Sequence, residues 1–464
     1  MDALKNLLVQ EKTLVSQIQA MEDLLSGVRV DIAELRCVNS NAGTYNLPSE
    51  ALSAIFEAGL CYTPKTRERG HLLSKKRTTP FELLVSSVSR RWRNVALQTP
   101  RLWTVLVIDI GSTHDLYDLY LYRSKMCPLD ITMDYPNRSM SDSDCDINVK
   151  RHLDRLIPHV SRWRTFIVRS GNIGSRLSAL SHLCAPALET LKLDSNLEDA
   201  ITFENTLFSG GASRLLSLEL IGGSFRPPVG AVKYLKLFRP FLYPLLSYDQ
   251  LSQLIRPIRS LTHFTTSANL ISDAENHSPI ELPSVLSLEI YFDHHDTSSS
   301  TFTIFDFPAV KFLTIHGSTN VTIRTLTRNH RVYPHVRSFA LVEKYGDAEN
   351  VPAALALDFI ALLPRVQDIV FQGTDPSAIL NALSNRKPTD GILWPDLRAI
   401  TVVAAQRAKV MHKKQIWTCI VKVVENRVQH GHKISSIKLS SQIVERGGQR
   451  QRQWLRDHVV LTEC

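Results

Sequence analysis

The sequence of 464 residues lacks the short signatures of most enzyme classes and of zinc and disulfide scaffolds. Its seven cysteines form no C-x-x-C pair, and their odd number does not fit a fully paired disulfide framework. No GK dipeptide occurs, which excludes a Walker A loop, and G-x-G-x-x-G, G-x-S-x-G and H-E-x-x-H are also missing. These absences predict a protein that is not an enzyme, holds no metal or other cofactor, and resides in a reducing compartment.

Long apolar runs are missing as well. The most apolar stretch, residues 351–363, is too short to cross a bilayer and contains Asp358. The N-terminus mixes charged with apolar residues and has no clean apolar core of a secretory signal. Hydrophobic residues still make up 44% of the chain, enough for a large core. We therefore expect a protein of the cytoplasm, the nucleus or both, with no membrane partner.

A heptad pattern follows the N-terminus. Apolar residues recur in alternating steps of four and three at Leu14, Ile18, Met21, Leu25, Val28, Ile32 and Leu35. This spacing predicts a helix over about residues 2–37, within an N-terminal coiled-coil-like segment 1–40. Two interpretations stay open: self-association of the chain through residues 4–36, or packing of the helix on its own chain or on a neighbouring protein.

Two further apolar helical faces flank a basic insert at residues 61–80. In LPSEALSAIFEA, residues 47–58, Leu52, Ile55 and Phe56 fall on one face, and Pro48 suits an early helical position. In residues 81–108, Val88 and Trp92 lie on a second stripe, which Thr99-Pro100 ends. The residues alone are compatible with an ordinary helical hairpin.

LPSEALSAIF, followed by SSVSRRWRNVALQTPRLW, resembles the F-box of the large F-box families of mushroom-forming fungi. The matching positions are Leu47, Pro48, Glu50, Leu52, Ile55, Phe56, Val88, Ser89, Arg90, Trp92, Arg93, Ala96, Pro100, Leu102 and Trp103. Ser89 stands where many relatives carry Cys, and the insert is unmatched. The resemblance implies an all-α F-box-like domain over residues 41–108 that docks on a Skp-type adaptor protein and, through it, on a cullin. The residues implied for adaptor binding are Leu47, Pro48, Leu52, Ile55, Phe56, Val88 and Trp92.

A motif P-x-L-x-x-L-x-L recurs downstream. The copies are PALETLKL at 186–193, PSVLSLEI at 283–290, PAVKFLTI at 308–315, PHVRSFAL at 334–341, PRVQDIVF at 364–371 and PDLRAITV at 395–402. Copies without proline are SRLLSLEL at 213–220 and HKISSIKL at 432–439, and earlier candidates are PRLWTVLV at 100–107 and SRWRTFIV at 161–168. From residue 283 to residue 395 the proline-anchored copies start 25 to 31 residues apart, a period typical of leucine-rich repeats.

L-x-L alternation points two apolar side chains into a shared core, and each copy needs its neighbours to bury them. The array resembles leucine-rich repeats but lacks their usual turn asparagine except at Asn196. Residues 222–282 fit the pattern least, with no clean copy around Ile258–Leu261. Unrelated α/β strands are the alternative. The expected fold class is α/β: an N-terminal helix and an all-α F-box, then a leucine-rich-repeat-like solenoid over residues 109–464 with parallel strands on its concave face.

The outward strand positions are the expected substrate site. Exposed aromatic and apolar residues on neighbouring strands are unusual unless something covers them. We expect a protein substrate to contact Glu289, Tyr291, Phe312, His316, Val342 and Gln372; the alternative is that a C-terminal segment of this chain covers them.

The net charge of +9 is unevenly placed, with +8 in residues 61–101 and +10 in residues 405–456. Few aromatic residues accompany these basic segments, which disfavours a base-stacking groove and makes nucleic acid an unlikely partner. The favoured function is the substrate-recognition subunit of an SCF-type cullin–RING ubiquitin ligase. The alternatives are an F-box scaffold that acts outside ubiquitination and a basic nucleic-acid-binding protein.

Overall fold

The computed structural model describes residues 2–39, 47–62, 79–109, 114–135, 142–170, 176–195, 206–222, 225–239, 245–271, 277–292, 299–343, 351–384, 391–403 and 410–464. The basic insert, Asn196 and the acidic and histidine-rich run 293–296 lie largely or wholly outside these residues. The chain divides into two compact units, here called the helical unit, Met1–Leu106 with Gly111–Asp130, and the repeat unit, Val107–Ile110 with Ile131–Cys464.

Five α-helices are present among the described residues of the helical unit. They are α1 (Asp2–Asn39), α2 (Ser49–Tyr62), α3 (Phe81–Val88), α4 (Arg90–Gln98) and α5 (His114–Arg123), with a 3₁₀ turn at Pro100–Trp103. The predicted N-terminal helix is thus present. Ser89 separates α3 from α4 in an extended conformation, and its side chain accepts a hydrogen bond from the backbone nitrogen of Trp92. This serine is therefore the N-cap of α4.

Aromatic and aliphatic side chains from α2 to α5 form the core of the helical unit. The fully buried members include Leu52, Phe56, Val95, Ala96, Leu102 and Trp103. The indole nitrogen of Trp103 donates to the carbonyl of Ala96 over 2.9 Å, which satisfies the only polar atom of that ring. The Arg123 guanidinium lies 4.4 Å from the centre of the same ring and covers it.

A 14-stranded sheet, most of which belongs to the repeat unit, contains every strand except β8 and β10. Its strands are β1 (Val105–Asp109), β2 (Leu129–Tyr135), β3 (Trp163–Ser170), β4 (Thr190–Ser195), β5 (Ser217–Ile221), β6 (Tyr234–Phe238), β7 (His263–Ser267), β9 (Ser287–Tyr291), β11 (Phe312–His316), β12 (Ser338–Val342), β13 (Asp368–Gln372), β14 (Ala399–Val403), β15 (Ser436–Leu439) and β16 (Val460–Glu463). The short strands β8 (Ile280–Glu281) and β10 (Phe305–Asp306) pair separately.

Strand pairing is parallel from β3 to β16, and the register is unbroken from β4 to β15. Most of these short strands alternate between buried and more exposed side chains, as in β5, where Leu218 and Leu220 are buried between Ser217, Glu219 and Ile221. The inward residues are mostly the leucines, isoleucines and phenylalanines of the repeated motif, with Thr266 and Val402 among the exceptions. Stacking the copies therefore buries one face and leaves the other to solvent.

The segments between strands carry the remaining helices. These are α6 (Asp142–Leu156), α7 (Tyr248–Ile255), α8 (Thr301–Ile304), α9 (Thr319–Arg328), α10 (Ala353–Leu362), α11 (Ser377–Ser384), α12 (Val410–Gln429), α13 (Ser441–Val444) and α14 (Gln449–His458), with 3₁₀ turns at Ile157–Arg162 and Arg176–Leu180. Helix α7 begins with a reciprocal capping box between Ser247 and Gln250. No helix in these described ranges is both long and apolar enough to cross a bilayer.

The expected mixed α/β architecture with a long parallel sheet is confirmed. Every quoted copy of the repeated motif overlaps or leads into a strand, including the early candidates at β1 and β3. The sequence did not reveal β2, β6, β7 or β16. Two of these, β6 and β7, fill the stretch 222–282 in which no clean copy was found, and they continue the sheet without a break.

Candidate functional site

The solvent-facing side chains of β4 to β14 form three parallel rows, here called the exposed sheet face. Because the strands are in register, the first, third and fifth residues of successive strands fall opposite one another. The middle row runs through Lys192, Glu219, Lys236, Thr265 and Glu289. This half of the face is charged, whereas Ala340, Val370 and Thr401 continue the same row as small or apolar side chains.

Glu289 is the centre of a hydrogen-bonded cluster on this face. Its carboxylate accepts hydrogen bonds from the hydroxyls of Thr265 (3.1 Å) and Tyr291 (3.0 Å), and Nε2 of His316 lies 2.7 Å from its Oε1. The contact with His316, aided by both hydroxyls and opposed by partial burial, lowers the pKa of Glu289 to about 2. The carboxylate is therefore ionised throughout the physiological pH range.

Tyr291 and His316 are held together by the same cluster. Their rings stack with centroids 4.0 Å apart and an interplanar angle of 1°, and Phe238 meets Tyr291 edge to face at 5.6 Å. Burial and the nearby Glu289 carboxylate raise the pKa of Tyr291 to about 12. The phenol therefore remains protonated and donates its hydroxyl hydrogen to the Glu289 carboxylate.

A second ionic group lies in the middle row on β4, β5 and β6. Glu219 receives the ammonium groups of Lys192 and Lys236, each at 2.9 Å, one on either side. Burial opposes ionisation of Glu219, but the hydrogen bonds from Lys236 and Lys192 outweigh it and leave the pKa of Glu219 below its usual value. The Asp194 carboxylate at the end of β4 also interacts with both lysines, so the group contains two lysines and two carboxylates.

Between Glu219 and Glu289 the face contains a shallow pocket of about 290 Å³. Tyr234 and His263, which stack at 4.6 Å, line it together with Lys236 and Thr265. The pocket thus offers one aromatic wall and groups of both charges. It can hold a polar or aromatic side chain of a partner, but its carboxylates are already paired and do not form a catalytic dyad.

The structure brings the residues expected to contact substrate onto one surface. Glu289, Tyr291 and His316 form the cluster, and Val342 and Gln372 follow His316 in the same row on the next two strands. Phe312 lies at the opposite end of β11 and is 52% exposed, so no described segment of the chain covers it. Sequence reasoning missed Tyr234, Lys236 and His263, because β6 and β7 were not recognised.

The residues expected to bind an adaptor separate into surface and core in the helical unit. Pro48, Ile55 and Val88 are exposed, and Leu47 and Trp92 are half-buried. Leu52 and Phe56 are buried, and the Phe56 ring packs on Trp92 with centroids 5.0 Å apart. Arg91 donates a hydrogen bond to the carbonyl of Leu47, which fixes the start of α2 against α4.

Helices α2 and α3 meet at Gly59 and Phe81. A Cβ at Gly59 would lie 2.3 Å from the Phe81 ring, so only glycine permits this close approach. Ile55 lies one turn before Gly59 on α2, and Leu84 lies one turn after Phe81 on α3. The exposed side chains of Ile55 and Leu84 therefore flank the point of contact between the two helices.

Comparison with family models and with curated proteins finds no match to this chain. Among solved structures, the crystal structure of a TLR13–ssRNA13 complex shares 15% sequence identity with a TM-score of 0.31. The alignment covers 60% of this chain and 38% of that chain, so the chain spans about two fifths of the length of its structural neighbour. Similarity at this level assigns no family and no function.

Proposed function

We propose that this protein is the substrate-recognition subunit of an SCF-type cullin–RING ubiquitin ligase. Helices α2 to α4 bind a Skp-type adaptor, and the exposed sheet face binds a protein substrate. The chain performs no chemistry itself. It raises the effective concentration of substrate lysines near the charged conjugating enzyme.

The main support for adaptor binding is that the F-box-like residues divide into a buried set and an exposed set. Leu52 and Phe56 hold the helical core, whereas Ile55 (49% exposed) and Val88 (57% exposed) present apolar side chains to solvent. With Leu84, they offer enough apolar surface for burial to contribute on the order of 5 kcal/mol to association. A small helical unit exposes such side chains when a partner covers them.

Co-purification with a Skp-type adaptor tests this assignment. The full chain is expected to retain the adaptor, and the double variant Ile55→Asp, Val88→Asp is expected to lose it, because two charges would enter an apolar interface. Replacing Leu47 and Pro48 together by Ala should also abolish capture. Leu119→Asp is the matched control, since Leu119 is a comparably exposed apolar residue on α5. Equal adaptor binding by the double variant and the wild type would refute the proposal.

The substrate half of the proposal rests on the aromatic and charged groups of the exposed sheet face. The double variant Tyr291→Ser, Phe312→Ser is expected to release a co-purifying protein while the adaptor stays bound. Val332→Ser is the control, because Val332 is a similarly exposed apolar residue in the connection before β12. Unchanged partners with a large fall in the melting temperature would mean that these residues support the fold instead.

A reconstituted ubiquitination assay separates a ligase subunit from a scaffold. Capture of the adaptor and cullin, with ubiquitin transfer to the co-purified partner, supports the ligase. Capture of the adaptor without cullin would instead indicate an F-box scaffold that acts outside ubiquitination.

A further inference from the structure

Helix α1 exposes an apolar stripe along most of its length. The large apolar side chains that the structure describes between residues 7 and 35 are 38–69% exposed. Over the same span, no strand or helix of the described chain packs extensively on α1. An isolated helix with this surface gains little stability from propensity alone, so tertiary or quaternary burial is needed.

The exposed residues are ordered by the heptad. Ile18, Leu25 and Ile32 occupy the a positions, and Leu7, Leu14, Met21, Val28 and Leu35 occupy the d positions. Val15 and Leu24 lie on either side of this seam, at e and g. Only Val9 and Val30 among the exposed large apolar residues fall on the opposite face. Lys12, Ser16, Gln19, Asp23 and Ser26 make that opposite face polar. The stripe is thus a seam of one continuous phase over Leu14–Leu35.

We propose that α1 joins two copies of this chain through a parallel two-stranded coiled coil. A seam with period 3.5 is complementary to itself, since each knob of one helix fits a hole of an identical helix. Ile18 and Ile32 at a, with Leu14 and Leu35 at d, favour two parallel strands, whereas Leu25 at a and Val28 at d depart from this pattern in the central layers. The occupant of the stripe is therefore a second α1.

The available surface is sufficient for a stable dimer. Covering the seam and its flanking apolar residues on two helices removes on the order of 1,500 Å² from solvent, which is the size of a standard protein–protein interface. The ion pair between Asp31 and Arg90, at 2.8 Å, ties α1 to α4. Because Asp31 is at a g position, this contact lies beside the seam and leaves it accessible.

Glu11 marks the N-terminal limit of the seam. It occupies an a position, so two Glu11 carboxylates face each other in a parallel dimer and repel. A dimer of this kind is weakened at that layer and is strengthened when the charge is removed.

The test is the molar mass of the full chain by analytical ultracentrifugation between 1 and roughly 50 µM, without any adaptor, a range chosen to bracket the micromolar affinity scale. The wild type is expected at twice 52.3 kDa. Leu25→Asp is expected to weaken dimerisation at least about a hundredfold, whereas Val30→Asp, the same charge placed on the opposite face, leaves it intact. Glu11→Leu is expected to tighten the dimer.

A Met21→Cys variant reports the orientation, because d residues of the same number meet only in a parallel coiled coil. Oxidation should give a 21–21′ disulfide that peptide mass spectrometry identifies. A wild type that is monomeric throughout the concentration range, or a dimer that Leu25→Asp does not weaken, overturns the proposal. Absence of the 21–21′ crosslink in a dimer overturns the parallel arrangement. Adaptor binding is measured separately, so either result leaves the proposed ligase function to its own test.

Discussion

The imidazole of His316 on β11 contacts Glu289 on the neighbouring strand β9, with Nε2 2.7 Å from Oε1. The two residues are diagonal neighbours, because His316 is directly opposite Tyr291 and Glu289 is directly opposite Thr314. Tyr291 therefore supplies both the stacking partner of the imidazole and a hydroxyl to the carboxylate. Three side chains on two strands fix one another on a surface open to solvent.

This arrangement predicts a loss of stability in acid. The pKa of Glu289 is lowered from 4.5 to about 2, so its ionised form stabilises the fold above pH 4.5, and that contribution is lost as the pH falls from about 4.5 to 2. In Glu289→Gln, the fall in melting temperature between pH 5 and pH 3 should be smaller than in the wild type. Glu281→Gln, at an exposed position on β8, should keep the wild-type fall. Equal pH dependence in all three proteins would contradict the cluster.

The strand register predicts that substitutions at two adjacent residues of β11 change the free energy of unfolding by very different amounts. Phe312 faces solvent, and Leu313 is 1% exposed within the core. Leu313→Ala should lower the free energy of unfolding by about 2–5 kcal/mol, because it leaves a cavity. Phe312→Ala should change it by less than about 1 kcal/mol, as is usual for surface substitutions. Chemical denaturation of both variants measures these changes. A larger loss for Phe312→Ala than for Leu313→Ala would mean that the register is wrong by one residue.

Ser89→Ala should destabilise the helical unit by about 1 kcal/mol, the typical cost of losing an N-cap. Its hydroxyl accepts the backbone hydrogen bond of Trp92 at 3.2 Å, and alanine cannot replace it. The control is Ser87→Ala on α3, whose hydroxyl only donates back to the carbonyl of Leu84. Tryptophan fluorescence during urea unfolding measures both changes. Equal midpoints for the two variants would mean that the cap contributes nothing.

Gly373 and Gly391 allow two costs of a glycine-to-alanine substitution to be distinguished: the cost of a left-handed backbone conformation and the cost of a steric clash. Their φ angles are similar, +75° and +73°, but a Cβ at Gly373 would lie 2.1 Å from the carbonyl oxygen of Glu343, whereas nothing lies within 4 Å at Gly391. Gly391→Ala should cost about 1 kcal/mol for its left-handed conformation. Gly373→Ala should cost clearly more, because the backbone of the neighbouring turn must also move. If the two variants have equal melting temperatures, the close approach of Gly373 to the Glu343 carbonyl is refuted.

The sequence predicted most of the sheet because leucine spacing reports burial directly. Strand β7 was missed, since its inward positions are Phe264 and Thr266, and Thr266 is fully buried where the motif expects leucine. Its hydroxyl donates to the carbonyl of Ser267, which makes this burial tolerable. Strand β6 lies in a V-x-x-L-x-L pattern that begins at Val232. This pattern has neither the proline nor the first leucine of the repeated motif, and the strand was therefore not recognised.

The candidate site was predictable in position but not in chemistry. Outward positions follow from the alternation of Leu288 and Ile290 with Glu289 and Tyr291. The hydrogen bonds of the Glu289 cluster depend on the register between strands that lie over 20 residues apart in sequence, which one strand cannot reveal. The pocket beside the cluster was missed for the same reason, together with the two unrecognised strands.

The unbroken register of β4 to β15 turns the exposed sheet face into a regular lattice. Points on it are about 4.8 Å apart across strands and about 6.6 Å apart along them. Because Phe312 lies at such a point while its neighbour Leu313 lies in the core, an outward residue without cross-strand partners can be substituted with little effect on folding. A substitution at an isolated point therefore alters the surface chemistry locally, whereas the points joined by hydrogen bonds, Glu289, Tyr291 and His316, constrain one another.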